Sequence, residues 1–260
     1  MANGFGNAAV KEFNLALDEL ELNLVFLRTS MRLRPRLSGF LNRQVIQGEA
    51  ETLVTSFLNL KTVESGLQYR GMLVVLSGAF EHLVRKILHE AIVAINKGFK
   101  TYDELPHKLR IQNVVRTGRA LTTIGEPPDH VVVNYSELAS QLATCVTGAK
   151  SFILNPEAFT LFVSSVSSGH LEDIFDVIGI KVDWDGFGRE QKFETIFATR
   201  GARATGKAVA EHLDRLIKLR NRIAHSGAGG VTVTDDEVED YIEFFRVFSV
   251  QFQKQIAAQL

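Results

Sequence analysis

Cysteine is nearly missing from this chain: Cys145 is the only one among 260 residues. A lone thiol excludes an intramolecular disulfide framework and a zinc site built on cysteines. It suits a reducing compartment. Charge of one sign is lacking too. Twenty-nine basic against thirty acidic side chains leave a formal net charge of −1. No global basic field therefore advertises a nucleic-acid binder, and any such binding has to come from local patches. Long hydrophobic runs are absent: the most apolar stretch, Met72 to Leu76, is too short for a bilayer and soon meets Glu81. The N-terminus has no charged-then-apolar leader pattern. The expectation is a soluble, cytoplasmic protein with no membrane partner. No fixed-period repeat is visible. The stretch Gly201 to Ala208 has the wrong spacing for a phosphate-binding loop and no strand before it. The histidines His82, His89, His107, His130, His170 and His212 show no metal-ligand spacing, so neither a metal nor a cofactor is expected.

What is present is helical periodicity in a chain of ordinary globular composition, 45% hydrophobic and 23% charged. Residues 7–30 read as one helix and 49–60 as a second. The most apolar helix spans about 67–96, with Leu73, Leu76, Phe80, Val84, Ile87, Leu88, Ala91 and Ile95 as its stripe. Gly98 is its stop. Further helices are expected over Tyr102–Leu121, over Ser136–Val146 with Ser136 as cap, from Asn155-Pro156-Glu157 onward, and over His170–Ile180. The stretch from Gly125 to Pro128 is a break, and Val131–Val133 can be a short extended piece. Asp183–Gly206 reads as a long loop around a short helix. Thr234-Asp235-Asp236-Glu237 is a capping box that opens an aromatic final helix. Between the first two helices lie Arg28, Arg32, Arg34, Arg36 and Arg43, interrupted by Pro35 and Gly39. That run is either a solvated basic connecting loop or a phosphate-facing patch.

The stretch from Glu211 to Gly227 is the centre of the reading. Leu213, Leu216, Ile217, Ile223 and Ala224 recur at helical steps. At about 100° per residue, Arg220 falls near the middle of that stripe and Arg222 on the opposite side. Asn221 and His225 are four apart and share another face, and Gly227 ends the helix. An arginine, an amide and an imidazole thus gather at one helix end. Two readings stand. Arg220 can be structural, paired to Glu81 or another acid, and His225 a C-terminal cap favoured by the helix dipole. Alternatively the pair does chemistry. Ser77 and Glu81 carry the same ambiguity: a core serine bonded to its own helix and a glutamate paired to Arg85, or groups that hold Arg220.

Arg220-Asn221-Arg222-Ile223-Ala224-His225 resembles the signature of the HEPN superfamily, an arginine followed by a polar residue and then a histidine after a short gap. The leucine-rich helix before it, the small residues around the histidine, the polar loop and final amphipathic helix after it, and Leu76-Ser77-Gly78-Ala79-Phe80-Glu81 in an earlier long helix are similar to that family. Within it the chain looks closest to the RiboL-PSP type of bacterial defence loci. The resemblance covers residues 67–258, most firmly 67–96 and 205–258. It implies an all-α fold, an antiparallel helical bundle, with an N-terminal helical extension over 1–66 and a HEPN-like domain over 67–260 with inserted loops, or one continuous domain. It implies a metal-independent endoribonuclease, a toxin or antiviral defence effector, that uses Arg220, Asn221 and His225 as catalytic residues. From the residues themselves, Ser77 and Glu81 are candidates for holding Arg220, and Arg32, Arg34, Arg36, Arg200 and Arg203 are candidate RNA contacts. The resemblance implies RNA as substrate, a homodimer with a composite active site, and an antitoxin or regulatory partner. Two alternatives are a non-catalytic HEPN-fold module that binds RNA, a nucleotide or a protein, and a purely helical interaction subunit.

Overall fold

A computed structural model of the chain describes residues 4–43, 45–59, 65–126, 133–147, 151–226 and 230–260. Among the described residues the only regular structure is helix. Four long helices make the framework: α1 (Asn7–Asn42), α3 (Ser65–Gly98), α10 (Ala202–Ser226) and α11 (Asp235–Ala257). The shorter ones are α2 (Glu49–Asn59), α4 (His107–Leu121), α5 (Tyr135–Val146), α6 (Pro156–Thr160), α7 (Ser168–Asp176), α8 (Trp184–Gly188) and α9 (Gln191–Phe197).

The long helices run antiparallel in pairs, and hydrogen bonds at both ends fix this. At one end the Gly6 N–H donates to Glu90 on α3, and Gln253 on α11 bonds the Phe5 carbonyl. At the other, the Tyr69 hydroxyl of α3 reaches Met31 on α1, Arg28 binds Asp235 at the start of α11, and Arg70 binds Val231. Helices α1 and α10 therefore run toward this second end, and α3 and α11 run away from it.

The core between them is unusually rich in phenylalanine. Phe80, Phe244, Phe245, Phe248 and Phe252 are fully buried, and Phe187 of α8 stacks on Phe248 with ring centroids 4.6 Å apart and planes 4° apart. The expected stripe of α3 is buried throughout except for Ile95, which is half-buried. Ala9, Phe13, Leu17, Leu20 and Leu24 of α1 enter this same core. Helices α4, α5 and α6 pack beside it around a smaller cluster, Ala120, Leu138, Ala158 and Leu161.

Several expectations are corrected. The Arg28–Arg43 run is not a loop: α1 continues through Pro35 to Asn42. Pro35 is exposed, so water can serve the carbonyl that its missing N–H leaves open. Residues 37, 38 and 41 are half-buried, and the Arg34 guanidinium lies 5.2 Å from the Phe57 ring of α2. That packing carries the helix past the proline. Pro106 splits the expected Tyr102–Leu121 helix into a 3-10 turn, Tyr102–Glu104, and α4. Asn134, not Ser136, caps α5, its side chain accepting from the Glu137 N–H at 3.2 Å. The 183–206 region is not a loop but α8, α9 and the first turn of α10. Gly188 and Gly206 explain why: a Cβ on Gly188 would lie 1.8 Å from the Ala202 carbonyl oxygen, and one on Gly206 2.2 Å from that of Trp184. The two backbones touch where side chains are missing. The capping box of α11 stands as read, with the Glu237 N–H donated to Thr234 Oγ1 at 3.2 Å. Val131 and Val132, His130, and Gly227 lie outside the described residues.

Candidate active site at the end of helix α10

Helix α10 delivers the motif because its first four turns are anchored. Val209, Leu213 and Leu216 are fully buried and Ile217 nearly so. Asp214 accepts from both the N–H and the hydroxyl of Ser168, at 2.8 and 3.0 Å. The stripe then fades: Ile223 is half-buried and Ala224, expected in it, is exposed. Arg220 sits at this transition, half-buried, and its Nη1 donates to Asn221 Oδ1 at 3.1 Å. His225 is exposed in the last turn, about 6 Å along the axis from Asn221 at 1.5 Å per residue. The arginine fork and the amide are thus joined, and an imidazole stands one turn further on, open to solvent. Arg215, Lys218, Arg220 and Arg222 occur here with no acid from 215 to 226, so the helix end is basic.

The residues around it include one that sequence reading passed over. Arg70 is only 6% exposed, and its Nη1 donates to the Val231 carbonyl at 3.0 Å. Its Nη2 is buried without a partner. It pins the segment that follows His225 to the start of α3. The available signal was its position seven residues before Ser77 and eleven before Glu81, which puts all three on one face of α3. Beside it, Arg28 of α1 is bonded by Asp235 at 2.7 Å and Asp236 at 3.0 Å, and lies 2.9 Å from Glu239. That ring of acids raises the guanidinium's pKa, and the Arg28 bond in turn holds the Asp235 carboxyl below its usual range.

Ser77 and Glu81 are buried, but their bonds do not run to the motif. Glu81 Oε1 accepts the Ser165 N–H at 2.7 Å and its Oε2 lies 3.6 Å from Arg85, which itself donates twice to the Val163 carbonyl. Ser77 Oγ has no partner among the described residues, not even its own helix backbone. Arg32 and Arg36 are exposed on α1, and Arg34 is half-buried against α2. Arg200 and Arg203 are exposed at the opposite end of α10, about 33 Å of helix from His225. Among the described residues no three His, Cys, Asp or Glu side chains gather as a metal site would need, and no helix is long and apolar enough to cross a membrane.

No curated protein and no solved structure matches the chain. The family profile described as RiboL-PSP-HEPN matches residues 50–258, from α2 to the end of α11, and so takes in Arg70, Ser77, Glu81, Arg220, Asn221 and His225 but not the arginines of α1. An all-α bundle with an arginine, amide and histidine at the end of its penultimate long helix fits the ribonuclease-like, RNA-related chemistry that this family suggests. The chain belongs to the RiboL-PSP-HEPN family.

Proposed function

We propose that the chain is an endoribonuclease that needs no metal and cuts RNA with its own 2′-OH. The ribose 2′-oxygen attacks the adjacent phosphorus, and the bond from phosphorus to the 5′-oxygen breaks. The 2′-OH proton goes to a base and an acid protonates the departing 5′-oxygen. The products are a 2′,3′-cyclic phosphate and a 5′-OH. His225 moves these protons, since an imidazole has one ring nitrogen that accepts a proton and one that donates. Arg220 stabilises the extra charge on the phosphorane oxygens with a planar fork of donors. Asn221 holds that fork. The observation that carries the reading is the Arg220–Asn221 bond with His225 exposed one turn beyond it.

The reaction needs a base and an acid, and one motif offers one imidazole. We therefore assign activity to a homodimer in which two α10 ends meet across a two-fold axis. The cell role we propose is that of a toxin or defence effector, held in check by a partner. Expression of the wild type then arrests growth of a bacterial host and His225→Ala does not; equal arrest by both would overturn that role.

The test of the chemistry is cleavage of a mixed RNA pool with EDTA present. Wild type cuts, and Arg220→Lys loses most activity because an ammonium keeps the charge without the fork. Near-normal cutting by the lysine variant would reject the role given to Arg220.

A further inference from the structure

Helix α1 outlasts the core it serves. Its last fully buried residue is Leu24, and Met31 meets Tyr69 at the bundle end. Residues 32–42 continue as helix for about 16 Å beyond that level. The end they leave from is the one where α10 presents Arg220 and His225. Within residues 28–48 there are five arginines, no lysine and no acid. Arg28, Arg32 and Arg36 follow at four-residue steps, hence along one face. Arg28 is consumed by Asp235, Asp236 and Glu239, which fixes that face toward the start of α11. Arg32 and Arg36, one and two turns further out, are exposed and have no ion pair among the described residues. Arg34 lies on the other side, over Phe57, so that α2 braces the arm from behind.

We infer that residues 31–42 of α1 form an arm that grips single-stranded RNA beside the linkage presented to His225, with Arg32 and Arg36 on its phosphates. The inference rests on the ribonuclease reading of α10. An arginine-only cationic face suits the ligand, because guanidinium groups bind phosphate oxygens in pairs and stack on bases. A single strand is favoured over a duplex because in-line attack by a 2′-oxygen requires a backbone free to turn. The acids at the start of α11 would repel RNA, and Arg28 offsets them. The exposed Met31, Leu33 and Phe40 between the arginines offer apolar contact to unstacked bases.

The experiment uses the full chain and a single-stranded RNA oligomer with every 2′-OH methylated, so that binding is measured without cutting. For Arg32→Gln/Arg36→Gln, the slope of log affinity against log salt should shrink by about 1.4, the loss expected for two phosphate contacts on a single strand. Affinity at low salt should fall on the order of tenfold, since those two counterion-releasing contacts are gone. Lys97→Gln/Lys100→Gln, the same charge change on exposed side chains at the far end of α3, should leave both unchanged. Equal binding by wild type and the arm variant, equal losses in the two variants, or no binding by wild type would each overturn the inference. So would a change of oligomeric state in the arm variant with its affinity intact, which would give the arm to a protein partner. Binding through the arm by a chain that never cuts unmodified RNA would keep the arm and reject the nuclease. Normal cutting with unaltered binding in the arm variant would do the reverse.

Discussion

Ser165 holds its backbone at φ 49°, in the left-handed region, while its N–H is held by Glu81 and the neighbouring Val163 carbonyl by Arg85. A non-glycine residue there costs about 1 kcal/mol, and the buried carboxylate offsets it. Glu81→Ala strands a buried N–H and unpairs Arg85, so it should cost about 2 kcal/mol, read as a lower unfolding midpoint. An unchanged midpoint would contradict this. His212 is a second residue whose chemistry the fold dictates. Its ring packs on Tyr241 and Phe244 at centroid distances of 4.4 and 4.7 Å. Its Nδ1 lies 3.1 Å from an Arg215 nitrogen that can only donate, which leaves the proton on the buried, unpartnered Nε2. Burial, then the Arg215 charge, depresses its pKa to about 4; burial also pushes the Tyr241 hydroxyl up to about 12. The neutral ring is the folded form, so the unfolded chain binds more protons below its ordinary value of 6.5. Stability is then full above that pH and falls as pH drops toward 4, by at most about 3 kcal/mol. His212→Phe should flatten the part of that loss above pH 5, before carboxylates dominate; an identical slope would contradict it. The sequence shows His212 only as a histidine without ligand spacing, because the aromatic cage comes from α9 and α11. Arg70 was hidden for the same reason: its partner lies 161 residues away.

Among the elements, α3, α10 and α11 are legible because a buried stripe repeats at the helical period for several turns, and Thr234-Asp235-Asp236-Glu237 writes its own cap. The arm of α1 is not. Local signals at Pro35 and Gly39 say break, and only contact with α2 overrides them. The 183–206 region fails similarly, since Gly186, Gly188, Gly201 and Gly206 read as loop while Gly188 and Gly206 are spacers between α8 and α10. Gly206→Ala should therefore destabilise the fold by about 3 kcal/mol, because backbone rather than a flexible side chain must move. Gly39→Ala, where nothing lies within 4 Å of the added carbon, should be neutral or slightly stabilising. Denaturant midpoints of the two variants check the contrast, and equal midpoints would refute the close approach of α8 to α10. Asn155 shows how a local signal can be right about position and wrong about bonding. It precedes α6, where an asparagine can cap, yet its Nδ2 donates to Thr117 and Leu138 and its Oδ1, the atom that would accept a helix N–H, has no partner among the described residues.

For the whole molecule, the motif in α10 was readable from spacing and flanks, but not what surrounds it. Nor did periodicity reveal that Phe13, Leu17, Leu20 and Leu24 fill the same core as α3 and α11. We propose that residues 7–30 belong to the HEPN-like bundle and that the appendage is the 31–59 segment. A chain beginning at residue 67 should then fail to unfold cooperatively; cooperative unfolding would restore a separate extension over 1–66. The purified full chain should have twice the monomer mass by light scattering at micromolar concentration, and a monomer there would remove the composite site. If Arg220 and His225 cut RNA through its own 2′-OH, the deoxy substrate and the His225 variant should both fail in the same assay. Wild type and His225→Ala are each given one single-stranded RNA, with EDTA present, alongside the same strand carrying 2′-deoxyribose at the scissile position. Wild type should cut the RNA to a 2′,3′-cyclic phosphate and leave the deoxy strand intact. His225→Ala should be slower by at least about a hundredfold with unchanged helical content. Cutting of the deoxy strand, loss of cutting on chelation, or full activity in His225→Ala would contradict it.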